Sequence, residues 1–252
     1  MRRKKIGRYP LILIAEERSI DLKIILLPGL DGTGILFKPF IDALPSTIET
    51  LVISYPPDEK LSYKGLTEYV MDRLPKDEAY VLLGESFSGP IAYEIALSQP
   101  GNMKAVVFVA SFLKTPQRLV LGLSRLLPRS LLLSLPMPEF VIKLFLLGPK
   151  ASTQLVDLFR VSLNKVSAKV LSYRLNEITN LSINKQKCDV RAVYIQADDD
   201  YLVPERCVET FKEVMDNLKI YQVTGPHLIL QANPLASSEI IVNEIRKEWG
   251  LM

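Results

Sequence analysis

Histidine is almost missing from this chain. Of its 252 residues one is histidine, His227, and two are cysteine, Cys188 and Cys207. A metal centre of imidazole and thiolate needs three or four such ligands at set spacings, and neither cysteine stands at such a spacing from His227. No metal and no organic cofactor is expected. Two cysteines are also too few for a disulfide framework, so free thiols in a reducing, cytoplasmic compartment are the expectation. Charge of one sign is scarce as well: 31 basic and 28 acidic residues leave a net charge of +3, too little to argue for nucleic acid as a partner. Long apolar runs are absent. The start, MRRKKIGRYPLILIAEERS, has an apolar run only from Leu11 to Ala15 before Glu16, Glu17 and Arg18 interrupt it. That is too short for a secretory signal, and no uncharged run approaches the roughly 18 apolar residues of a membrane-spanning helix.

What the chain does have is short apolar runs alternating with helical patterns. Strands are expected at 9–15, 22–27, 50–55, 81–83, 104–110, 192–196 and 219–223. Helices are expected at 36–44, 63–74, 91–99, 205–215 and 235–248. Strands that read as continuous apolar runs belong to a parallel sheet covered on both faces. The alternation stops between Ser111 and Cys188 and then resumes. No internal repeat interrupts it.

Ligands of such sheets bind at the carboxyl ends of the strands, so the residues that follow each strand matter most. After Leu27 comes Pro28-Gly29-Leu30-Asp31-Gly32-Thr33-Gly34, a glycine-rich loop able to bring backbone N–H groups close to a reacting oxygen. After Leu83 comes Gly84-Glu85-Ser86-Phe87-Ser88-Gly89, with a helix starting at once. After Gln196 come Ala197, Asp198, Asp199, Asp200, Tyr201, Leu202, Val203 and Pro204. After Val223 come Thr224, Gly225, Pro226 and His227. A serine on so tight a strand-to-helix turn needs small neighbours two residues before and after it, and Gly84 and Ser88 are both small. Taking Ser88 as the central residue instead would put Pro90 where a small residue belongs.

The Ala79 to Pro100 stretch resembles the nucleophile elbow, G-x-S-x-G, of the α/β-hydrolase superfamily, with Ser88 in place of the last glycine. The order Ser86, acidic cluster, His227 is also that of the superfamily. The resemblance covers the whole chain outside 113–187 and implies an α/β-hydrolase fold. Its core would be 1–112 and 188–252, a mostly parallel sheet with helices on both faces, and its helical cap would be 113–187. Two departures, Ala197 for a frequent glycine and Pro28-Gly29 for a frequent His-Gly, remove no reacting group. The resemblance implies Ser86 as nucleophile, His227 as general base and Asp200, which precedes x-x-Val-Pro, as the orienting acid, with Asp198 and Asp199 open as alternatives. The backbone N–H groups of Leu30 and Phe87 would form the oxyanion hole. The LPGLDGTG segment is similar to that of esterase-like and acyltransferase-like members acting on lipid alcohols.

The inserted stretch is leucine-rich and broken by Pro128, Pro136, Pro138 and Pro149, which predicts several short helices. It carries more apolar residues than one buried face per helix requires, so some are expected to line an apolar pocket or to lie at the surface. From Lys114 to Lys150 six basic residues (Lys114, Arg118, Arg125, Arg129, Lys143, Lys150) face Glu139 alone. An acidic acyl carrier or an anionic lipid surface would suit that imbalance. The expected activity is hydrolysis of esters or thioesters with an apolar acyl or alcohol part through an acyl-enzyme on Ser86. Acyl transfer with the same residues, or non-catalytic binding of an apolar ligand, are the alternatives.

Overall fold

The computed structural model describes residues 22–116 and 138–248. Among them six strands form one all-parallel sheet: β1 (Leu22–Leu27), β2 (Glu49–Val52), β3 (Ala79–Glu85), β4 (Met103–Val109), β5 (Ala192–Ala197) and β6 (Leu218–Val223). Their spatial order is β2-β1-β3-β4-β5-β6. The helices in chain order are α1 (Lys38–Ala43), α2 (Tyr63–Met71), α3 (Gly89–Leu97), α4 (Glu139–Ile142), α5 (Thr153–Asn164), α6 (Ala168–Thr179), α7 (Val208–Val214), α8 (Ile229–Ala232) and α9 (Pro234–Asn243).

The central strands are apolar throughout because both of their faces are buried. Ile25, Leu27, Leu82, Val106, Phe108 and Tyr194 point to one side, where α2, α3 and α7 supply Leu66, Val70, Ile91, Ile95, Val208 and Phe211. Ile24, Leu26, Val81, Leu83, Val107, Val193 and Ile195 point to the other, against Phe40 of α1 and Ile241 and Val242 of α9. Phe211, fully buried, lies 4.5 Å from the Phe108 ring and 5.0 Å from that of Tyr194. Truncating such a ring to alanine typically costs about 3–5 kcal/mol.

The expected elements are present with shifted ends. The second strand ends at Val52, three residues early. Ile53 N still donates to Leu26 O of β1 (3.1 Å), but then Ser54 Oγ donates to Thr33 O (2.6 Å) and Tyr55 N to Gly32 O (2.7 Å), so from Ser54 on the chain braces the 28–34 loop instead of extending the sheet. The last helix starts at Pro234 and widens into a π-turn at Glu244–Glu248. The strand expected at 9–15 lies outside the described residues.

Between β4 and β5 the expected short helices appear where the sequence signals place them. Pro138 precedes α4, which runs into a π-turn at Lys143–Leu147, and Gly148 (φ 81°) and Pro149 break the chain. Ser152 then caps α5 by accepting from Leu155 N (3.2 Å), and Ser167 caps α6 by accepting from Val170 N (3.3 Å). Pro128, Pro136, Arg118, Arg125 and Arg129 fall outside the described residues.

Candidate active site

β3 delivers Glu85 and Ser86 to its carboxyl end, and α3 follows after a single 3-10 turn. The turn is tight enough that a Cβ on Gly84 would stand 2.9 Å from both Ala92 Cβ and Ser88 O. Ser86 has φ 49°, a left-handed conformation that side-chain-bearing residues rarely adopt. Its carbonyl accepts from Ser111 Oγ (2.6 Å), which steadies the turn. Gly89 makes room for that contact, since a Cβ there would collide with Ser111. The backbone is bent as the expected elbow requires.

Ser86 Oγ lies 2.9 Å from His227 Nε2, and His227 Nδ1 lies 2.7 Å from Asp200 Oδ2. A carboxylate only accepts, so Nδ1 holds the ring proton and the Nε2 lone pair faces the serine hydroxyl. Asp200 is itself fixed, because its Oδ1 takes Leu202 N and Val203 N, each at 2.8 Å. Of the other two carboxylates, Asp198 accepts from Gly225 N (2.8 Å), bracing the loop that carries His227, and Asp199 is exposed. The structure thus brings Ser86, His227 and Asp200 into one hydrogen-bonded chain. Burial is the strongest single influence on His227 and lowers its pKa. The charge and hydrogen bond of Asp200, with a contribution from Glu85, outweigh it and lift the ring above its ordinary 6.5.

The 28–34 loop leans on this chain, for a Cβ added to Gly29 would stand 3.9 Å from Ser86 Cβ. Ser88 is buried and joins elbow to loop: its single proton goes to Pro28 O, so the Tyr55 hydroxyl must be the donor to Ser88 Oγ. The hydroxyl that stands at the last position of the G-x-S-x-G pattern therefore has two buried partners. The ring of Phe87, the residue after the serine, stacks on Tyr63 at 4.8 Å.

Two buried charged residues here escaped the sequence reading. Glu85, 2% exposed, accepts from Gln231 Nε2 (3.0 Å), and burial pushes its carboxyl up to about 7, with Gln231 acting in the opposite sense. It stands at the unspecified x of G-x-S-x-G, where no sequence signal marks it. Arg174, also 2% exposed, enters from α6 and donates to the carbonyls of Leu30, Asp31 and Pro56. A signal for it existed: it interrupts the apolar stripe Val170, Leu171, Leu175, Ile178 of the helix.

The site is covered. Ser86 is 6% and His227 4% exposed. Leu36 and Leu228, next to His227, cluster with Ile142, Leu147, Val156 and Phe159 of the insertion, and Leu30 packs on Val166, Val170 and Leu171. Among the described residues no group of three or more His, Cys, Asp or Glu could hold a metal ion, and no helix is long and apolar enough to cross a membrane.

No protein-family model matches the sequence. The chain is similar to phytyl ester synthase 1, chloroplastic, of Arabidopsis thaliana, with 26% identity over 122 residues. That match takes in 45% of this chain but spans only 17% of the plant protein's length. Solved structures are similar over most of their length. MenH from S. aureus shares 15% identity with a TM-score of 0.72 over 92% of this chain and 96% of that one. A lipase-esterase related protein from Clostridium acetobutylicum shares 14% identity with a TM-score of 0.67 over 89% and 95%. The RedJ thioesterase from Streptomyces coelicolor shares 16% identity with a TM-score of 0.64 over 93% and 87%. Together with the six-stranded parallel sheet, these likenesses show the α/β-hydrolase fold.

Proposed function

We propose that this α/β-hydrolase-fold chain is a serine hydrolase cleaving carboxylic esters or thioesters that carry an apolar acyl or alcohol part. The observation that carries the reading is the Ser86–His227–Asp200 hydrogen-bond chain, hung on a serine with φ 49°. In this reading Ser86 Oγ attacks the carbonyl carbon while His227 Nε2 takes its proton. The carbonyl π pair becomes an oxyanion, held by the N–H groups of Leu30 and Phe87. Collapse expels the alcohol or thiol, which leaves with the proton from His227, and Ser86 is left acylated. Water then repeats the cycle and frees the acid. Asp200 keeps Nδ1 protonated and balances the imidazolium without taking its proton.

Three of the similar proteins, a lipase-esterase related protein, a thioesterase and an ester synthase, are named for acyl chemistry, which supports this reading. Residues 113–187 serve as the cap, with 1–112 and 188–252 as the core. The cluster of Leu36, Leu228, Ile142, Leu147, Val156 and Phe159 is the apolar wall for the acyl chain. The similarity to phytyl ester synthase favours a second reading, transfer of the acyl group to an alcohol, for which a covered serine suits the exclusion of water. Basic residues of 114–150 would receive an acidic acyl carrier or an anionic lipid; of these, Lys143 is already paired to Glu139 at 2.9 Å.

A series of p-nitrophenyl esters of increasing chain length, run beside acyl-thioesters and with a long-chain alcohol as competing acceptor, tests the proposal. Each buried CH₂ is worth roughly 0.8 kcal/mol, so kcat/KM should climb about fourfold per methylene until the wall is filled. No turnover of any member would overturn the reading. Appearance of the alkyl ester in place of free acid would select acyl transfer.

A further inference from the structure

The seven carbonyls from Pro28 to Gly34 are all hydrogen-bonded. Pro28 O accepts from Ser88 Oγ, Gly29 O from Gly32 N (3.0 Å), Gly32 O from Tyr55 N (2.7 Å), Thr33 O from Ser54 Oγ (2.6 Å) and Gly34 O from Phe37 N (3.1 Å). Those donors belong to the loop itself, to the turn that follows it, to the elbow or to the residues after β2. The remaining two, Leu30 O (3.0 Å) and Asp31 O (2.7 Å), both accept from Nη1 of Arg174, which arrives from α6 in the insertion. Asp31 O shares its peptide plane with Gly32 N, which in turn holds Gly29 O, the carbonyl of the peptide that carries the N–H of the proposed oxyanion donor Leu30.

We propose that Arg174 is a positioning residue for the oxyanion hole. By fixing the Leu30 and Asp31 carbonyls it sets the direction of the Leu30 N–H, and it makes catalysis depend on the inserted helices being docked. This rests on the hydrolase reading above.

Four observations support it. The guanidinium is almost wholly buried, and burying a cation is unfavourable unless its protons are satisfied. A leucine or methionine would fill that volume without the penalty; the guanidinium adds donors aimed at fixed carbonyls, with Nη2 reaching Pro56 O at 3.1 Å. The loop is shaped to receive it: Gly32 has φ 73°, and a Cβ there would stand 2.4 Å from Nη1. Finally, the guanidinium lies 5.5 Å from the ring centre of Tyr55, whose hydroxyl bonds the Ser88 that holds Pro28 O, so the two clamps of the loop share one support.

The test compares wild type with Arg174→Lys, Arg174→Met and, as a control on the exposed side of α6, Lys169→Gln. The kcat and KM for a short neutral p-nitrophenyl ester are measured beside the Ki of an alkyl trifluoromethyl ketone. That ketone adds Ser86 Oγ to its carbonyl carbon, leaving an oxyanion in the hole and the serine proton on His227. Melting temperature reports folding. Removing an oxyanion donor outright costs about 10²–10³ in kcat, and misdirecting one should cost on the order of 10- to 100-fold. KM should stay within about twofold, and the ketone Ki should rise by the same factor as kcat falls. Lysine should not restore the rate, since a single ammonium cannot reproduce the planar fork of donors. Should either variant fail to fold, Gly32→Ala pushes the guanidinium off the loop while Arg174 stays in the chain, and the same loss is expected. A raised KM with kcat kept, or a reduced kcat with ketone affinity unchanged, would overturn the positioning role. Unchanged kinetics would do the same. A wild type that neither turns over the ester nor binds the ketone overturns the hydrolase reading itself, and the inference with it.

Discussion

His227 is held between Asp200 at Nδ1 and Ser86 at Nε2, and the charges of Asp200 and the buried Glu85 raise its pKa against the effect of burial. In its proposed role as general base the ring must be neutral, so the acid limb of kcat/KM should have its midpoint above the ordinary 6.5. Replacing Glu85 with glutamine should move that midpoint down and should also change stability. Glu85 holds its proton up to about 7 in the folded protein against an ordinary 4.5, with burial the main cause, so the native state binds the extra proton between those values and loses stability as pH rises through them. His227, raised as well, contributes stability that is complete below its ordinary value and lost as pH climbs through its folded value. Melting temperature of the wild type should therefore decline from pH 4.5 to 7, and Glu85→Gln should flatten most of that decline. Parallel curves for the two proteins would contradict this account of Glu85.

The three consecutive aspartates separate cleanly by contact. Asp200→Asn should lower kcat by about 10⁴-fold, because the amide lets the imidazole settle in the wrong tautomer. Asp198→Asn should cost at most about tenfold, since it weakens a single charge-assisted bond to Gly225 N in the histidine loop. Asp199→Asn should be silent. A larger loss at Asp198 than at Asp200 in steady-state kinetics would transfer the orienting role.

At the scale of elements, the approach of α3 to β3 governs the elbow. A side chain on Gly84 meets Ala92 Cβ and the Ser88 backbone, neither of which is the yielding end of a long chain. Gly84→Val should destabilise by about 1–3 kcal/mol or more by overpacking, read as a lowered urea midpoint. An unchanged midpoint would mean that the turn relaxes freely. The elbow was legible in the sequence because its constraint is local, with small residues at fixed offsets from a serine at a strand end. β1, β3, β4 and β5 were legible because parallel strands buried on both faces cannot carry charges in their middles. The edge strand β2 was read three residues too long, since from Ser54 on its continuation bonds a loop instead of a strand. Ser88 and Glu85 gave no signal because their partners, Pro28 and Gln231, are 60 and 146 residues away, and Arg174, although it breaks an apolar stripe, gave no hint of its partner Leu30, 144 residues away. Asp200 could be favoured over its neighbours by motif alone, and only its distance to His227 separates the three.

At the scale of the molecule, the insertion bonds two of the loops that the proposed chemistry needs and the backbone beside them. Leu228 N, beside the histidine, donates to Leu146 O (2.9 Å), Ser167 N donates to Pro57 O (3.2 Å), and Arg174 grips the 28–34 loop. The sheet supplies the serine and the insertion braces the groups that surround it, so the site is a property of the whole chain. The central claim is that this assembly activates one serine among many. Intact-protein mass spectrometry after brief exposure to an alkyl fluorophosphonate measures that directly. The account predicts one adduct on the wild type, mapped to Ser86, and none on Ser86→Ala, with both proteins melting at similar temperatures. An unlabelled wild type, or a Ser86→Ala variant labelled as fast as the wild type, would contradict it.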